Sequence, residues 1–110
     1  MKGMVRHHSD VAAIPLGGGM ERRILAYEDS LMAVEVSFEK GAEGAPHTHP
    51  HTQISYVLSG SFRYSVEEES VILNPGDSIV VPGGLTHGTV CIEKGVLLDV
   101  FTPKREDFLK

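Results

Sequence analysis

The chain has 110 residues, 41% of them hydrophobic and 23% charged, with a formal net charge of -5 at pH 7. That length holds one domain of ordinary size, and that composition excludes collagen-like, low-complexity and fully disordered chains. Ten Lys and Arg against fifteen Asp and Glu leave no basic stripe for nucleic-acid phosphates or an anionic membrane, and the single cysteine, Cys91, excludes an internal disulfide framework or a Cys-rich zinc site.

The polar start MKGMVRHHSD lacks the apolar run of a signal peptide, and no stretch reaches the ~20 apolar residues of a membrane helix, so a cytoplasmic protein is expected. Residues 1–20 read as an N-terminal extension, used as an edge strand or exchanged between subunits, and residues 21–110 as one barrel. Turn clusters then recur at short intervals, among them Gly17-Gly18-Gly19, Glu39-Lys40-Gly41, Ser59-Gly60, Asn74-Pro75-Gly76-Asp77, Pro82-Gly83-Gly84 and Glu93-Lys94-Gly95. The short pieces between them are rich in Val, Ile, Phe and Tyr, which predicts strands rather than helices.

Across residues 31–38, Met32, Val34, Val36 and Phe38 alternate with Glu35 and Ser37, the period of a half-buried strand with its even face inward. Segments 53–58 and 61–66 flank Ser59-Gly60 and read as a hairpin, with Phe62, Tyr64 and Val66 on one face. Segments 71–73, 78–81, 89–92 and 96–101 bring the count to about eight, and an even set of short antiparallel strands closes a jelly-roll barrel without free edges. The last residues, 102–110, predict a short helix begun at Pro103 that packs Phe108 and Leu109 onto the barrel.

Four of the six histidines fall in one window. His47, His49, His51 and Gln53 alternate, and in an extended segment alternation sends all four to one side, unless Pro50 takes His51 out of register. Two like-facing imidazoles after a Gly/Pro-rich turn repel if protonated and are better explained as metal ligands. With His87, which follows the Pro82-Gly83-Gly84 turn, they form a mixed N/O donor set suited to zinc, nickel, iron, manganese or copper. His7 and His8 read as solvated, and His51 as a neighbour of the ligands or a substrate contact.

Two spaced motifs carry a resemblance. Gly41-x5-His47-x-His49-x3-Gln53-x6-Gly60 resembles the first cupin motif, with Gln53 where Glu is usual; Gly76-x5-Pro82-x-Gly84-x2-His87 resembles the second, with Cys91 where Asn is usual. The resemblance implies an all-β double-stranded β-helix, a small jelly-roll barrel with a metal inside. Further matches at 22–27, 36–41, 47–57 and 98–109 are similar to the single-domain pectin-degradation cupins of the KdgF type. That family opens the ring of 4,5-unsaturated monouronates from pectin or alginate breakdown and ketonises them to linear 4-deoxy-5-keto-uronates. The similarity implies His47, His49, Gln53 and His87 as ligands of one divalent ion (Zn, Ni, Mn or Fe), and Asp99, Phe101 and Arg105 as substrate-handling residues. It also implies a homodimer and a small uronate as the partner molecule.

The residues support those roles independently. Asp99 interrupts the apolar face Leu97, Asp99, Phe101, and a carboxylate there is costly to bury unless paired or functional; a closed pocket raises its pKa. Arg105 offers a planar fork for a uronate carboxylate and Phe101 a surface for the sugar. Arg22, Arg23 and Arg63 are further carboxylate readers whose direction the pattern leaves open. A neutral Gln in place of a carboxylate leaves a bound ion its full charge, which favours Lewis acidity over the iron-oxygenase facial triad. The competing functions are a non-catalytic sugar- or metabolite-binding cupin and, with Cys91 as an oxidisable thiol, a small dioxygenase.

Overall fold

The computed structural model describes residues 1–110. Its strands are β1 (Ile14–Gly17), β2 (Met20–Glu28), β3 (Leu31–Phe38), β4 (Glu43–His47), β5 (Thr52–Val66), β6 (Glu69–Leu73), β7 (Ser78–Val81) and β8 (His87–Thr102), with 3-10 turns at His8–Asp10 and Glu106–Leu109. Two long antiparallel strands, β5 and β8, carry the architecture. They pair in two stretches, from Thr52↔Thr102 to Val57↔Leu97 and from Ser61↔Glu93 to Val66↔His87. The first stretch extends into a sheet through β3, β2 and β1 on one flank and β7 on the other. The second is flanked by β4 and β6. The result is the expected all-β jelly roll, two sheets sharing one bent strand pair around a common core.

The predicted hairpin at Ser59-Gly60 does not form. Ser59-Gly60 and Glu93-Lys94-Gly95 lie inside β5 and β8, where the register shifts as the pair passes from one sheet to the other. A Cβ on Gly60 would stand 2.4 Å from the Glu93 carbonyl oxygen, and one on Gly95 would stand 2.0 Å from that of Ser59. The glycines permit two backbones to touch at a bend.

β3 follows its sequence pattern, with Met32, Val34, Val36 and Phe38 buried. Phe38 meets Phe62 edge to face at 5.1 Å, joining the two sheets, and each such buried side chain contributes roughly 1.5–3 kcal/mol. β1 is an edge strand of the chain's own sheet, with Ile14 opposite Arg22 of β2. The C-terminal segment is only a 3-10 turn, because Arg105 is extended at φ -81°, ψ 92° and buried. Phe108 packs against the core, while Leu109 stays exposed. No helix is long and apolar enough to cross a membrane.

Inside the barrel the filling is graded. Phe38, Phe62, Cys91 and Leu97 close one end. Toward the other, the inward positions of β5 and β8 become Gln53, Ser55 and Asp99, which line a cavity.

Candidate metal centre

His47 ends β4 directly opposite His87, the first residue of β8. His49 lies in the loop between β4 and β5, so the convergence is not produced by the pleat of one extended strand; the loop folds back over the barrel mouth. The Pro82-Gly83-Gly84 turn holds that loop. The Gly84 amide donates to the His49 carbonyl at 2.9 Å and the Gly83 amide to Thr52 Oγ1 at 3.2 Å. A Cβ on Gly83 would lie 2.1 Å from the Pro50 carbonyl oxygen, so only glycine allows this approach.

One nitrogen from each of His47, His49 and His87 lies within 4.8 Å of the others. Each Nδ1 sits against a backbone carbonyl: His47 on Ala45 at 2.9 Å, His49 on His51 at 3.0 Å and His87 on Leu85 at 2.9 Å. Those carbonyls require Nδ1–H donors, so each neutral ring presents its Nε2 lone pair. Burial is the main cause lowering the pKa of both His49 and His87, with nearby cations adding to it, which keeps them neutral. Yet the Nε2 atoms of His49 and His87 face Gln53 Oε1 at 2.8 and 3.0 Å. Acceptors facing an acceptor in a buried cluster need a cation among them, so the three imidazoles and Gln53 Oε1 fit a divalent ion.

Gln53 is oriented by its other end. Its amide donates to Ser55 Oγ and to Tyr64 OH, both at 3.1 Å. Ser55 Oγ donates to Asp99 Oδ1 at 2.6 Å and lies 2.9 Å from Tyr64 OH. With the serine proton committed to Asp99, the Tyr64 hydroxyl donates to Ser55. Every proton in the chain of bonds is then assigned, and it runs one way, from the amide of Gln53 to the carboxylate of Asp99. Burial pushes the Asp99 carboxyl up to about 6, against the opposing effects of the Ser55 bond and the Arg105 charge. Burial likewise raises the Tyr64 phenol far above its ordinary range.

A cavity of about 340 Å³ brings His47, Gln53, His87, Asp99, Phe101 and Arg105 together. Phe101 stands edge-on to His49 at 5.8 Å. The Arg105 guanidinium lies 4.2 Å from the Phe108 ring centroid, and its Nε and Nη2 hold Asp107 at 3.1 and 2.8 Å. Of the three further arginines expected to read a carboxylate, only Arg22 lines this cavity. Arg23 points outward toward Glu35 and Arg63 is exposed.

His51 stays outside the ligand cluster: its Nε2 meets the Lys104 carbonyl at 3.2 Å, and it serves His49 through its own carbonyl. Cys91 is buried away from the cavity, its thiol donating to the Glu93 carbonyl. His8 meets Glu35 at 3.0 Å on the outer surface. Sequence reasoning missed Ser55 and the polar end of Tyr64. The signal was parity, since Ser55 shares an inward face with Gln53 and Val57, as Tyr64 does with Phe62.

The cupin domain model matches residues 34–101. The chain is 49% identical over 96 residues to the pectin degradation protein KdgF of Dickeya dadantii (strain 3937), covering 86% of this chain and 87% of that one. Among solved structures, an RmlC-like cupin from Shewanella frigidimarina NCIMB 400 superposes with a TM-score of 0.92 at 42% identity, covering 96% of each chain. KdgF from a Halomonas species does so with a TM-score of 0.92 at 38% identity, covering 96% of this chain and 98% of that one. With a histidine cluster at the mouth of a jelly roll and these relatives along nearly its whole length, the chain belongs to the cupin family, in its KdgF branch.

Proposed function

We propose that this protein linearises 4,5-unsaturated monouronates of the kind released in pectin or alginate breakdown, giving 4-deoxy-5-keto-uronates. The observation that carries the reading is the placement of an acid–base carboxyl, Asp99, in the same cavity as the histidine cluster and tied to it through Ser55 and Gln53. Kinship with a pectin degradation protein supports a uronate as the substrate class.

The conversion moves one proton and changes no formula. The anomeric hydroxyl loses its proton, the bond from the anomeric carbon to the ring oxygen breaks, and its electron pair goes to that oxygen as an enolate. A proton delivered to C4 then yields the ketone. Asp99 is suited to both transfers: Oδ1 is fixed by Ser55, which leaves Oδ2 to take the hydroxyl proton and return it to carbon. A carboxyl with a pKa of about 6 is largely ionised at neutral pH yet still a competent acid. His47, His49, His87 and Gln53 would hold one divalent transition ion, which supplies Lewis acidity toward the enolate oxygen. Phe101 packs the sugar ring, and Arg105 favours a substrate that carries negative charge.

An exposed apolar face favours a homodimer. Ile54, Tyr56 and Leu58 form an exposed apolar stripe on the outer face of β5, and exposed Val80 lies opposite Ile54 on β7. This stripe is the face assigned to a second copy, and sedimentation of the pure protein tests it.

The deciding experiment follows the ultraviolet absorbance of the conjugated double bond after a lyase digest of pectin or alginate. Metal-replete protein is expected to accelerate its loss far beyond the spontaneous rate. An unchanged rate with intact binding would instead identify a sugar-binding cupin.

A further inference from the structure

The inner face of β2 runs Met20, Arg22, Ile24, so a guanidinium stands where alternation calls for an apolar side chain. Arg22 sits opposite Val36 of β3 and lines the cavity that holds His47, Gln53 and Asp99. Its Cζ lies 3.7 Å from the centroid of the Phe108 ring. Its Nε is buried and has no hydrogen-bond partner. Nor does its guanidinium take part in any ion pair. A buried donor without an acceptor is costly, and the cost is removed only when an acceptor arrives.

The contrast with Arg105 is the informative part. Both guanidiniums lie against the one Phe108 ring, so two cations are close neighbours in a half-enclosed space. Arg105 already has a carboxylate on its Nε–Nη2 edge, supplied by Asp107. Arg22 has none; burial and the charge of Arg105 both depress its pKa, while Asp107 opposes them. Of the two arginines that line the cavity, Arg22 is therefore the one without an anion partner, and its open edge is the planar fork that matches a carboxylate.

We propose that Arg22 is the residue that reads the substrate carboxylate, while Arg105, clamped by Asp107, stiffens the Phe108 wall and adds charge to the same anion site. The proposal rests on the uronate reading above and deepens it: the cavity selects a free acid over its neutral ester through a residue on β2, outside the two metal-ligand motifs.

The test uses full-length, metal-replete protein as wild type, Arg22→Gln, Arg22→Met and Arg23→Gln, each checked for folding by near-ultraviolet circular dichroism. Arg22→Met keeps an unbranched stem against Phe108 should Arg22→Gln fold poorly. Turnover of the unsaturated galacturonate gives KM and kcat separately, and calorimetric titration with saturated galacturonate and its methyl ester gives binding without chemistry. Both Arg22 variants are expected to raise KM, and the Kd for galacturonate, by about ten- to a hundredfold, while kcat falls by less than about threefold. The ester is expected to bind all four proteins alike, and Arg23→Gln to match wild type. Wild-type KM and Kd in folded Arg22 variants overturn the proposal, as does an equal loss for acid and ester. Wild-type protein that binds galacturonate but leaves the unsaturated uronate untouched overturns the linearising reading instead, and the two affinities still decide the role of Arg22.

Discussion

Asp99→Asn separates a carboxyl kept for chemistry from one kept for structure. The folded carboxyl, raised from 3.8 to about 6, holds its proton more tightly than the unfolded one. Folding therefore takes up a proton between those values, and stability falls as pH rises through that interval. At neutral pH the ionised group costs about 3 kcal/mol, each tenfold in proton affinity being about 1.4 kcal/mol. Asparagine removes the charge and keeps an oxygen for the Ser55 hydroxyl, but its amide protons need new partners, at about 1–2 kcal/mol. A net gain of about 1–2 kcal/mol remains, which raises Tm by about 4–10 °C in a chain of this size. At about pH 4 the wild-type carboxyl is itself protonated and the gain disappears. Thermal melts of both proteins at equal metal loading, at about pH 4 and about pH 8, read the difference, and turnover of the variant is expected to fall at least about a hundredfold. A variant equally destabilised at both pH values would refute the claim that burial strains this carboxyl.

Three other changes probe the rest of the site. Ser55→Ala removes the bond that favours ionised Asp99, so the acidic limb of kcat/KM is expected to move up by roughly one pH unit; a limb that stays in place would sink the relay. His87→Ala deletes one of the three imidazoles, and elemental analysis after dialysis is expected to find well under one equivalent of metal, with the metal-dependent rise in Tm lost. Full stoichiometry in that variant would contradict the ligand set. Gly95→Ala places a methyl group 2.0 Å from the Ser59 carbonyl oxygen and is expected to cost at least about 3 kcal/mol in urea melts. A loss below about 0.5 kcal/mol would show that the strand pair can relax there.

The histidine cluster was legible because its chemistry is local: a run of alternating His before Gln53 and a Gly-rich turn before His87 announce themselves over a few residues. The class of fold was legible for the same reason, through the alternation of Met32, Val34, Val36 and Phe38. Gly60 and Gly95 misled because glycine serves a tight turn and a close crossing equally well, and the partner that distinguishes them lies far away in sequence. Arg22 and Arg23 are adjacent, so one must face in and the other out. Which does so is fixed by pairing of Ile24 with Val34 and Arg22 with Val36, information that belongs to β3. Ser55 was passed over because a small hydroxyl on an inner face carries little signal until the carboxyl it serves is known.

The bent pair of β5 and β8 also governs when the site comes into existence. Gln53 and Ser55 belong to one of these strands and His87, Asp99 and Phe101 to the other, so the residues that line the cavity are not preassembled in any local segment. The site must form late, with the closure of long-range contacts that slows folding of such topologies. A metal that binds only the closed form then acts as a latch on the whole barrel, and its release under denaturant is expected to coincide with global unfolding.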